Sequence, residues 1–223
     1  ARERGDLAVP QKMRLGARTL YPGVTYHNIT RVLHVDSTRA EDLTRAEIEG
    51  RRQVRQVVAF YRKSVPGYEK CRIMAIAPQL GLRESRRIVG EYTLTAEDVL
   101  SARSFPDAVA NHAYYIDVHN PDGMGLERGA GLDLRPAPGT FYQVPYGCML
   151  PLDREQLLAA GRCISATREA LGSARTTVCC AQLGQAAGAA AAVAVKKGCT
   201  VREVDGRELS RMVLAPPDAP AAP

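Results

Sequence analysis

The sequence predicts a mixed α+β or α/β chain, and three observations carry that prediction. Thr25 to Val35 is rich in β-branched and aromatic residues, the composition of a strand. Val54, Val57, Val58 and Tyr61 then recur at helical spacing and give the next segment one apolar face. Finally, Leu157-Leu158-Ala159-Ala160 reads as a short apolar strand running into Gly161, and an Ala-rich helix follows from Thr177 to Lys197. The chain has 223 residues, 45% of them hydrophobic and 24% charged, which excludes collagen, a coiled coil and wholesale disorder.

The elements follow in order. Residues 1 to 18 are polar and basic and read as a loop or severed connection. After the first strand, Thr44 and Glu47 form a T-x-x-E capping box for the helix, which Pro66-Gly67 ends. Cys71 to Ala77 reads as a buried strand and Arg86 to Leu94 as another. Thr95 with Asp98 caps a short helix, and Pro106 starts a second one. Tyr114 to Val118 reads as a strand entering the turn Asn120-Pro121-Asp122-Gly123, with a Gly- and Pro-rich loop to Gly139. Phe141 to Val144 and Cys148 to Pro151 are further short strands. Lys196-Lys197-Gly198 closes the long helix with cations at its negative end and a glycine stop. The tail from Ala215 is Pro- and Ala-rich and reads as extended.

Composition narrows the function. Thirty Lys and Arg against 24 Asp and Glu give a net charge of +6, which permits an anionic partner without choosing one. No Trp and few aromatics disfavour a stacking platform for single-stranded nucleic acid. The opening Ala1-Arg2-Glu3-Arg4 has no charged-then-apolar leader, and Val178 to Val195, interrupted by Gln182 and Gln185, is a poor membrane span. A soluble, cytoplasmic protein is expected. None of the six cysteines stands at C-x-x-C spacing, so neither a zinc site nor an iron–sulfur cluster is predicted and no metal ligand is named.

Three constellations could carry chemistry. The strand–loop–helix from Leu157 to Lys197 has little side-chain bulk at the helix start, which suits an anion or a flat cofactor facing free N–H groups. Arg83-Glu84-Ser85-Arg86-Arg87 can clamp a carboxylate or phosphate, with Glu84 holding one guanidinium. His112 and His119 flank Asp117 and could exchange protons near neutral pH. Each has a plain alternative: close helix packing, a surface ion-pair ladder, or a turn histidine. A non-enzymatic basic module that uses Arg51 to Lys63 and Arg83 to Arg87 to hold an anionic partner or nucleic acid is the rival reading.

Three runs together resemble the carboxyl-terminal half of the FAD-dependent oxidoreductases of the glutathione-reductase/fumarate-reductase superfamily, related to the heterodisulfide reductase flavin subunit. The runs are Gly81 to Gly90, Ile116 to Gly123, and Leu158 to Thr167 with Ala181 to Gly188; Asp42 to Glu47 also fits. The resemblance implies FAD as cofactor and a final strand and helix that complete a Rossmann-like flavin domain behind a mixed-sheet substrate domain. It divides the chain into a loop or severed connection over 1–24, a substrate (cap) domain over 25–150, the flavin-domain end over 151–200, and a terminal helix and tail over 201–223. Gly161, Arg162, Cys163, Ile164 and Ser165 would lie along the ribityl–pyrophosphate part, with Gln182, Leu183 and Gly184 near the isoalloxazine. Arg83, Arg87 and His119 would face the flavin as catalytic candidates for an unidentified small-molecule substrate. The G-x-G-x-x-G turn of such flavoproteins does not occur in these residues, so an amino-terminal half or a partner chain is expected to supply it.

Overall fold

The computed structural model describes Val9, residues 15–119 and residues 134–214. The turn at Asn120, most of the loop to Gly139 and the tail from Ala215 lie outside these residues. The described residues form two compact units: one comprises residues up to Leu82 together with His119, and the other comprises Arg83–Val118 and residues from 134 on. The mix of helices with two small antiparallel sheets is an α+β fold.

The first unit is a hairpin and one long helix. Strand β1 (Leu15–Arg18) pairs with β2 (Thr25–Asn28), and the Thr19 hydroxyl donates to Val24 O at 3.0 Å across the turn. The expected strand to Val35 stops at Asn28 because Arg31 spends both backbone groups on a side chain. Its N–H donates to Gln53 Oε1 and its C=O accepts from Gln53 Nε2, each at 2.8 Å. Helix α1 (Ala40–Ser64) begins one turn before the expected box. Asp42 reaches back to accept from Asp36 N at 2.7 Å, while Thr44 donates to Ala40 O inside the helix. Its buried face is Ala46, Gln53, Val57 and Tyr61, and Tyr61 meets His27 and Tyr68 edge-on with ring centroids 5.2 Å away in each case. The predicted buried strand Cys71–Ala77 is irregular and largely exposed, with Met74 at 73%.

The second unit holds the larger core. Helix α2 (Ala96–Leu100) carries the predicted Thr95/Asp98 capping box. Strands β3 (Ala108–His112) and β4 (Tyr142–Pro145) pair antiparallel, with His112 opposite Tyr142. Helices α3 (Arg168–Ala174), α4 (Thr177–Lys197) and α5 (Gly206–Leu214) follow, and α4 and α5 both pack on β3. Helix α4 has the bounds expected of it and stops at Gly198 in the left-handed region. Cys179, Leu183, Ala186, Ala190, Val193 and Ala194 form its buried face.

Several expected strands take other forms here. Pro106 sits in a turn that feeds β3 and does not start a helix, since its fixed φ suits either. Among the described residues Tyr114–Val118 makes no ladder: Ser173 Oγ and Arg175 Nη2 take the carbonyls of Tyr114 and Asp117, and Ile116 N donates singly to Leu134 O. Tyr146–Met149 winds into a 3-10 turn where Cys148–Pro151 was expected to be a strand. Leu157–Ala160 therefore finds no continuous partner; Ala159 N donates to Met149 O as a single bond. Arg86–Leu94 is reduced to isolated bridges, Gly90 with Pro151 and Leu94 with Ala166.

Candidate functional site

Two features of the second unit meet where α3 hands over to α4. The first is the turn Gly161–Cys163. Gly161 has φ +83, a conformation that side chains with a Cβ rarely adopt, and a Cβ placed there would lie 4.0 Å from Cys180 Sγ. Arg162 and Cys163 are exposed on this turn, against the first turn of α4. Burial pushes the Cys180 thiol up, and Arg162 partly offsets it. No side chain caps α4: Thr176 Oγ1 is engaged instead with His112 Nε2 at 2.7 Å. The first N–H groups of a helix have no intrahelical acceptor and favour negative charge.

The remaining residues expected at a cofactor lie deeper. Ile164 and Leu183 are fully buried in the core. Ser165 is 1% exposed, and its hydroxyl shares a 2.9 Å bond with Thr93 Oγ1. Gln182 accepts from Asn111 N and donates to Asn111 O, both at 2.9 Å, which ties α4 to the end of β3. Gly184 faces outward; a Cβ on it, or on Gly188, would meet nothing within 4 Å.

The second feature is an arginine cluster. Arg83 Nη1 and Arg175 Nη2 both donate to Asp117 Oδ2 at 3.1 Å, and Arg175 also donates to Asp117 O at 2.7 Å. Arg87 donates to Glu84 at 3.1 Å, and Arg168 lies 3.7 Å from the same carboxylate. Burial pulls the Arg175 guanidinium below the usual arginine range, and the nearby Arg83 charge adds to this. The structure therefore joins Arg83 and Arg87 to one cluster. His119 belongs to the other unit. Arg175 escaped the sequence reading because its partner Asp117 is 58 residues away, beyond any local spacing rule.

Behind the cluster lies a polar and aromatic network. Tyr142 Oη and Ser173 Oγ share a 2.7 Å bond, and Ser173 Oγ donates to Tyr114 O at 2.6 Å. Burial holds His112 below the ordinary imidazole range, partly offset by a bond to the Ser173 backbone. The Cys148 and Cys179 thiols, both buried, are pushed up to about 12, so neither is a thiolate at neutral pH.

A family model described as FAD dependent oxidoreductase matches residues 3–213. The chain belongs to that family, and its cofactor is FAD. Comparisons with curated proteins and with solved structures give no match. The left-handed glycine turn, the exposed Arg162 and the uncapped start of α4 suit an anionic pyrophosphate. Among the described residues no group of His, Cys, Asp and Glu could hold a metal ion. Helix α4 is long and apolar enough to cross a membrane by length and composition, and a third of its most apolar stretch is buried in the core.

Proposed function

We propose that this chain forms the carboxyl-terminal portion of a cytoplasmic FAD-dependent oxidoreductase, holding part of the flavin and presenting the substrate-facing groups. Gly161, Arg162 and Cys163 with the first turn of α4 would hold the pyrophosphate side of FAD through backbone N–H groups and one guanidinium. When bound, FAD supplies hydride or electron transfer. Arg83 and Arg87 would orient the substrate. The outward face of α4 supports a partner segment that completes the site. Val178 and Val195 are 64% and 83% exposed, and Gly184 and Gly188 between them leave room for close backbone approach. That segment would be the dinucleotide-binding half, in the same polypeptide or a second chain.

The basic-module alternative draws less support. On α1, Arg45, Arg51 and Arg52 pair with Asp42, Glu47 and Glu49 within one turn, an ion-pair lattice and not an open basic stripe. Native mass spectrometry of protein purified from its source tests the proposal. A species larger than 24.2 kDa that carries FAD is expected; a lone flavin-free chain of that mass would overturn it.

A further inference from the structure

We propose that Arg83, Arg87 and Arg175 form a binding site for a small organic carboxylate, the substrate class of the oxidoreductase read above. The substrate role rests on that reading; the binding itself does not.

The inference starts from an unequal sharing of charge. One oxygen, Asp117 Oδ2, accepts from two guanidiniums at 3.1 Å each. Both remain cationic at any ordinary pH. A single carboxylate therefore serves two positive charges that repel one another, and one of them, Arg175, is only 12% exposed. A bound anion would relieve that repulsion in a site partly shielded from water, where charge-assisted bonds are strongest. Arg83 keeps most of its five N–H donors available after its one bond to Asp117, and its side chain is 42% exposed. Arg87 is aimed by Glu84 and 28% exposed, so it adds a second tethered donor.

A wall for the apolar body of the ligand belongs to the same segment as Asp117. The Tyr114 and Tyr115 rings lie with centroids 4.4 Å apart, tilted by 31°, and the Arg135 guanidinium covers Tyr115 at 4.7 Å. Burial, a bond with Tyr115 and the Asp117 charge together push the Tyr114 hydroxyl up to about 12, so this wall carries no negative charge to repel an anion. A carboxylate suits the cluster better than a phosphate. Asp117 and Glu84 border it, and their charges oppose a dianion more strongly than a monoanion.

Isothermal titration of the purified protein with succinate, benzoate and inorganic phosphate, at constant ionic strength, tests the site. Saturable binding of at least one carboxylate is expected, weakened ten-fold or more by Arg83→Ala and by Arg87→Ala. Arg83→Lys should recover part of the loss, and Arg211→Ala, at an exposed arginine of α5, should bind as the parent does. Circular dichroism and melting of each variant separate lost binding from lost fold. The site is overturned if neither carboxylate binds, if phosphate binds more tightly than both, or if Arg211→Ala loses as much as Arg83→Ala. Carboxylate binding to a protein that carries no flavin would keep the site and remove its role in an oxidoreductase.

Discussion

The two units use the same device and rest on different foundations. In each, a helical glutamine grips both backbone groups of one extended residue: Gln53 holds Arg31 and Gln182 holds Asn111. Around Gln53 the buried apolar cluster is small, with Val9, Val57 and Tyr61 at its centre. Around Gln182 the cluster takes in α2 through α5 and both strands of the second sheet. The first unit is thus ordered largely by aromatic edges and directed bonds, the second by close-packed apolar area. The candidate site is built on the second, where its supporting side chains have little freedom to shift.

The largest expected effect comes from the core beneath the site. Leu183→Ala should cost about 3 kcal/mol, the usual range for a leucine fully buried in a tight core. Differential scanning calorimetry should show the loss in the transition of the second unit, with Tyr61→Phe as a control confined to the first. Equal displacement of every transition would mean that the two units melt as one and would remove the contrast.

A smaller effect separates the two glutamines. Each Gln→Ala substitution strips bonds from two backbone groups, a loss of about 1–3 kcal/mol. Hydrogen exchange should speed up at the Arg31 N–H in Gln53→Ala and at the Asn111 N–H in Gln182→Ala. The broader core around β3 should limit the second opening to the strand end, whereas the first should free the whole segment from Ile29 to Leu33. The opposite order would show that packing area does not govern local stability here.

The smallest effect is in pH. His112 titrates below its ordinary value in the fold, so the unfolded chain binds more protons as the pH falls below about 6.5. Stability is therefore full above that value and declines as the pH drops toward the folded pKa. Urea melts between pH 7.5 and 5.5 should show this slope, and His112→Gln should flatten it.

What the sequence made legible was local. The Thr95/Asp98 box and the bounds of α4 could be read because caps, composition and a terminal Lys-Lys-Gly lie within a few residues of each other. Strands failed where their partners were distant or already engaged. Tyr114–Val118 has strand composition, but Ser173 and Arg175, at the end of α3, take two of its carbonyls. The run Cys71–Ala77 has no strand beside it among the described residues. The arginine cluster was half legible: Arg83, Glu84 and Arg87 fall within five residues, whereas Asp117 and Arg175 reach it only through the fold.

Gly172 ties this cluster to the backbone beneath it. A Cβ there would fall 2.8 Å from Val118 Cγ2 and 3.3 Å from the Asp117 backbone, so any larger residue must push the Val118 side chain aside and press on the peptide that carries the shared carboxylate. The position thus acts as a gauge block, setting the height of Asp117 under its two arginines without touching either. In a saturation library screened separately for abundance and for anion binding, residue 172 should lose binding first. Alanine there would leave a protein that accumulates but whose clamp is out of true.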